Sequence, residues 1–127
     1  MQFIYTKEEK YVYGGFVVKE MITYSINNVN CPVSSALKVI EGKWKLPILW
    51  VLSQNGTLRY NELRKGVVGI TNMMLTSSLK ELEHNNIINR KQYNEIPPHV
   101  EYSLTDAGKK LMPVLDELAK WGVELRK

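Results

Sequence analysis

The chain of 127 residues is expected to fold as a mainly α-helical protein carrying a small β-hairpin. Three observations lead there. Apolar residues recur at three- and four-residue spacing in four separate segments, ending with a broad stripe from Leu111 to Leu125. His99–Leu104 instead alternates polar and apolar residues, the period of a half-buried strand. Asn55-Gly56, Gly66, Gly69 and Pro97-Pro98 separate these segments as turns.

Composition bounds the function classes. A hydrophobic share of 44% and a charged share of 24% suit an ordinary globular protein, and the length suits one domain. A single cysteine excludes an internal disulfide and a cysteine-rich zinc site. No apolar run approaches the roughly 18 residues of a membrane span, and the N-terminus lacks a signal-peptide core, so the expected compartment is the cytosol. No nucleophile elbow, zincin helix or phosphate-binding glycine loop occurs, and His84 and His99 form no HxxxH pair. The expectation is therefore no catalytic residue, no metal and no cofactor.

The formal net charge is +4, and its placement matters more than its size. Lys43, Lys45, Arg59, Arg64, Lys65, Lys80, Arg90 and Lys91 stand against Glu62, Glu81, Glu83 and Glu95, while the flanking thirds are neutral. The whole excess falls between residues 43 and 99, which points to one polyanion-facing region.

Each element follows from local chemistry. In residues 1–20, Gly14-Gly15 between Tyr11-Val12-Tyr13 and Phe16-Val17-Val18 marks a small hairpin. Met21 offers an alternative start, which makes residues 1–20 either an N-terminal extension or a non-native start, and residues 21–127 one domain. Pro32 opens a first helix that carries Val33, Leu37 and Ile40 up to Gly42. A second helix is expected over about 43–53, with Pro47 in its first turn. Leu58-Arg59-Tyr60 suffices only for a minimal strand, and Asn61 is a good N-cap for a short helix through Arg64. Thr71 caps a longer helix to about Asn86, with Leu75, Leu79 and Leu82 on its inner face. A strand from Ile88 to Asn94 pairs with His99–Leu104 across the proline turn, and Thr105 caps the closing helix.

Two helices across a short glycine turn, followed by a hairpin, is the organisation of a winged helix-turn-helix, and the basic third covers these same elements. The exposed side of the 71–86 helix is small, polar and neutral to basic, which suits base edges in the major groove. Asn72, Met73, Thr76, Ser77 and Lys80 are the candidate base readers. The hairpin over 88–104 would lie along the backbone as a wing, and Lys43, Lys45, Arg59, Thr71, Arg90, Lys91 and His99 are candidate phosphate contacts. The closing helix has more apolar surface than a small domain needs. A twofold dimer seam built from Val33 and Leu37 of the first helix and Leu111, Leu115, Leu118, Trp121 and Leu125 of the last would use it, and would set two reading helices about 34 Å apart. Cys31, at the positive end of the first helix, is the candidate redox thiol, because a thiolate is stabilised there. The competing reading is a winged-helix protein-interaction module, which would lack the steep salt dependence of phosphate binding.

Residues from about Asn30 to Gly122 resemble the HxlR-type family of bacterial winged-helix transcriptional regulators. The resemblance rests on Cys31-Pro32-Val33, Gly42-Lys43-Trp44, Leu58-Arg59-Tyr60-Asn61-Glu62-Leu63-Arg64, Gly69-Ile70-Thr71, Ile96-Pro97-Pro98-His99-Val100-Glu101-Tyr102-Ser103-Leu104-Thr105 with Gly108, and Trp121-Gly122. It implies a homodimer on double-stranded operator DNA, built through the first and last helices and acting as repressor or activator. It also implies, for some members, an oxidant or electrophile as effector at the cysteine matching Cys31. The chain departs from the family pattern in Asn72-Met73, where many members carry proline and a basic residue, and in His99, where many carry arginine. Residues 1–20 have no counterpart in the pattern.

Overall fold

The computed structural model describes residues 12–13, 16–17 and 32–126, and the chain divides into two units, Met1–Lys38 and Val39–Lys127. In the first unit, β1 (Val12–Tyr13) pairs antiparallel with β2 (Phe16–Val17), as the Gly-Gly signal predicts. Helix α1 (Pro32–Ile40) begins on its proline, where no helical N–H is lost.

The second unit holds the remaining elements. Helix α2 (Lys45–Asn55) starts two residues later than its apolar pattern suggests, because Gly42 adopts φ +111° and the chain bends through residues 42–44 before Trp44 caps the helix. Pro47 sits in the first turn, as expected. Gly56 ends the helix at φ +77°, with its N–H donating to the Leu52 carbonyl at 2.8 Å. Strand β3 (Leu58–Arg59) leads directly into α3 (Tyr60–Gly66). Asn61 is therefore inside this helix and not its cap. The Glu62 carboxylate reaches back instead and accepts from the Arg59 backbone N–H at 2.8 Å.

Gly69, at φ +90°, turns the chain into α4 (Asn72–His84). Thr71 caps it as predicted, its hydroxyl accepting from the Met74 N–H at 3.1 Å. The helix stops at His84, two residues short of the length its pattern suggests, for a local reason. Asn86 takes the left-handed conformation at φ 59°, its N–H donates to the Glu83 carbonyl at 2.9 Å, and the Ile87 N–H donates to the Leu82 carbonyl at 2.9 Å. This is a Schellman closure with asparagine in the place that glycine usually fills.

Strands β4 (Ile88–Tyr93) and β5 (His99–Leu104) pair antiparallel from Ile88↔Leu104 to Tyr93↔His99. The hairpin expected as two strands gains a third, since β3 adds to the far side of β5 through Leu58↔Tyr102 and Arg59↔Glu101, giving the order β3-β5-β4. Helix α5 (Asp106–Leu125) closes the chain, with Pro113 inside it. The core gathers Ile48, Leu49 and Leu52 from α2, Leu63 from α3, Leu75, Leu79 and Leu82 from α4, and Ile88 and Tyr102 from the sheet. The three leucines of α4 fall at i, i+4 and i+7, so burying them turns the opposite side of that helix outward.

The junction of α4, β4 and α5 is tied at one side chain. The Thr105 hydroxyl shares its one proton between the carbonyls of Asn86 (2.7 Å) and Ile87 (3.0 Å) and accepts from the Gly108 N–H at 3.0 Å. Gly108 itself is packed so closely that a Cβ would overlap the Ile87 carbonyl oxygen.

Candidate nucleic-acid interface

Asn72, Met73, Thr76, Ser77 and Lys80 are all exposed and together line one shallow depression on α4. The helical period dictates this: once Leu75, Leu79 and Leu82 take the core, positions 72, 73, 76, 77 and 80 share the opposite face. Lys80 makes no ion pair among the described residues, and Met73 is 75% exposed. The face thus offers an amide, two hydroxyls, a thioether and a cation, with no carboxylate among them.

The N-terminal turn of α4 is fixed by a residue that the sequence does not single out. The hydroxyl of Tyr60, the first residue of α3, lies 3.1 Å from the Asn72 carbonyl, 3.4 Å from Asn72 Oδ1 and 3.1 Å from Thr76 Oγ1. Sequence alone gives no sign of this, because the contact spans a turn between two helices. The only cue is a tyrosine in the helix that precedes α4.

The phosphate candidates divide. Arg59, Arg90 and Lys91 are exposed on the sheet, and Lys43 is exposed just before α2. Lys43 Nζ lies 4.8 Å from the Trp44 ring centroid and Lys91 Nζ 4.9 Å from that of Tyr93, contacts that steady a cation while leaving it charged. Arg90 and Lys91 do not act as one pair. Successive strand residues face opposite ways, so Arg90 lies on the side of its partner Tyr102, whereas Lys91 shares the other face with Glu101 and Arg59. Thr71 is exposed, with its oxygen already accepting at the helix cap.

Two candidates are corrected. Lys45 is only 7% exposed, and its ammonium lies 2.6 Å from Glu81 Oε2, so it is a structural cation pinned to α4 rather than a phosphate contact. His99 is also taken up internally. Its Nε2 is 3.1 Å from Glu101 Oε2, its Nδ1 is 3.8 Å from Glu95 Oε2, and its ring stacks on Tyr93 at 4.6 Å between centroids. The Glu101 carboxylate at Nε2 and the Glu95 carboxylate near Nδ1 both stand where a phosphate would have to approach the ring, which disfavours that contact.

Among the dimer candidates, Leu111 and Leu115 pack partly on the core. Further along the same stripe of α5, Leu118 is 49%, Trp121 57% and Leu125 65% exposed. Val33 and Leu37 of α1 are also at least half exposed. Cys31 lies outside the described residues.

A three-stranded antiparallel sheet behind two helices joined by a tight turn, with a polar outward helix, defines a winged helix-turn-helix domain. Residues 39–127 match the family model for HxlR-like helix-turn-helix, and the chain belongs to that family of transcriptional regulators. It is similar to a protein named as regulatory protein MalR from Fusobacterium mortiferum, 46% identical over 98 residues that cover 77% of this chain and 92% of the relative. Among solved structures it is similar to a MarR-family transcriptional regulator from Porphyromonas gingivalis W83, at TM-score 0.69 and 41% identity over 80% of this chain and 98% of that one. It is also similar to the redox regulator HypR. The oxidised form matches at TM-score 0.66 and 42% identity over 74% of this chain and 96% of that one, the reduced form at TM-score 0.69. Among the described residues no helix is long and apolar enough to cross a membrane, and no cluster of ligating residues could hold a metal ion.

Proposed function

We propose that the chain acts in the cytoplasm as a homodimer that binds a near-palindromic operator, with α4 in the major groove and the β4–β5 wing along the backbone. The convergence of Asn72, Met73, Thr76, Ser77 and Lys80 on one exposed face carries this reading. The groups of this face match base edges in size and polarity. Arg90, Lys91, Arg59 and Lys43 supply the phosphate contacts, with Thr71 close by at the positive end of α4. The bare outer half of the α5 stripe supplies apolar surface for the dimer, and so do Val33 and Leu37 of α1.

The test is binding of the purified protein to its own upstream region, compared with random duplex at matched salt. A specific regulator binds the former at least about a thousandfold more tightly. Equal affinity for both overturns the reading.

A second reading is added by the likeness to HypR, a redox regulator solved in both oxidation states. In it, Cys31 responds to an oxidant or small electrophile, and its oxidation changes operator affinity. Diamide treatment followed by non-reducing electrophoresis checks for a crosslink. Unchanged induction of a Cys31→Ser strain removes this thiol as the switch.

A further inference from the structure

The Tyr60 hydroxyl has a proton balance that reaches the reading face. The Asn72 carbonyl can only accept, so at 3.1 Å Tyr60 donates to it. A phenol has a single proton. Toward Thr76 Oγ1, also at 3.1 Å, Tyr60 can then only accept, and the Thr76 hydroxyl is the donor. Thr76 is exposed on α4, and with its proton turned inward it offers the outside only oxygen lone pairs and a methyl group. Asn72 Oδ1, 3.4 Å from the same phenol, competes at longer range with the backbone carbonyl for that one proton.

We propose that Tyr60 is a specificity-positioning residue. By taking the Thr76 proton, it makes Thr76 a pure acceptor that pairs with the exocyclic amino group of adenine or cytosine in the major groove. Guanine and thymine present acceptors at that edge, so a threonine that cannot donate discriminates against them. An unrestrained threonine hydroxyl rotates to donate or accept and reads neither class. The proposal rests on the placement of α4 in the groove.

Tyr60→Phe keeps the ring and removes only the hydroxyl. The experiment measures its affinity for the operator, for every single-base variant of the operator and for random duplex, alongside its melting temperature. The expected result is unchanged affinity for random duplex, a loss of about two- to tenfold on the operator, and a relaxed preference at one base pair, where guanine or thymine becomes tolerated. Thr76→Val should relax the same base pair, and adding Tyr60→Phe to it should change that preference no further. Retention of the wild-type preference at every position by Tyr60→Phe overturns the proposal. So does an equal loss on all duplexes with a lowered melting temperature, which marks a purely structural tyrosine. Wild-type protein that distinguishes no duplex at all overturns the groove reading, and the proposal with it, before any substitution is made.

Discussion

Lys45 Nζ meets Glu81 Oε2 at 2.6 Å, so the first residue of α2 is ionically tied to the tenth residue of α4. The lysine is 7% exposed, and its aliphatic stem packs beside the core while its charge is answered at the edge. Glu81→Gln leaves this cation without its partner. The expected cost is about 1–2 kcal/mol, below that of a fully buried pair because Glu81 is itself largely exposed. Chemical denaturation measures it. Lys45→Met, which keeps the stem, should leave the salt slope of DNA binding unchanged.

The wing cations behave differently. Whichever of Arg90 and Lys91 contacts a phosphate should, on substitution by Ala, lower the slope of log affinity against log salt by about 0.9 and weaken binding to all duplexes alike. Because the two side chains face opposite sides of the sheet, one of them is expected to matter more on any single docked geometry. Titrations at four or more salt concentrations separate them. His99→Ala should leave the slope unaltered, since Glu101 engages its Nε2 and the Glu95 carboxylate stands beside its Nδ1.

On α4, Lys80→Ala should lower the ratio of operator to random-duplex affinity by more than it lowers random-duplex affinity. Competition binding with unlabelled duplex reads that ratio directly.

Gly108→Ala tests the packing of α5 on the start of β4. A Cβ there would overlap the Ile87 carbonyl oxygen and stand 3.2 Å from Leu104 Cδ2, and the first of these is backbone that cannot swing aside. A loss of about 2–3 kcal/mol is expected, read as a lowered melting temperature.

Leu118→Arg or Trp121→Arg places a charge on the bare outer part of the α5 stripe without touching the core. Sedimentation velocity should report dimer for the unsubstituted protein and monomer for either variant, with the circular dichroism spectrum retained.

Helices are the most legible part of the sequence. The i, i+4, i+7 spacing of Leu75, Leu79 and Leu82 identifies both the buried side of α4 and, by subtraction, the five residues of its outward face. Thr71 and Thr105 are readable as caps because capping is a local property of three or four consecutive residues. What cannot be read is non-local. The minimal strand at Leu58-Arg59 is legible, but its pairing with β5 is not, because the partner lies more than forty residues away. Lys45 reads like any other basic residue of the middle third, since its neutralising partner lies in a different helix. The Glu95 carboxylate comes alongside His99 only through the turn after Tyr93. Tyr60 reads as one aromatic among many, because only the fold sets its hydroxyl against α4.

The Thr105 hydroxyl has a mechanical consequence. It joins the last carbonyls after α4, the entry to β4 and the first turn of α5 through a single oxygen, and Gly108 removes the clearance that would let those parts slide. Slack at that corner is therefore small. A tilt of α5 at its first turn works against the two hydrogen bonds from Thr105 to the carbonyls that follow α4.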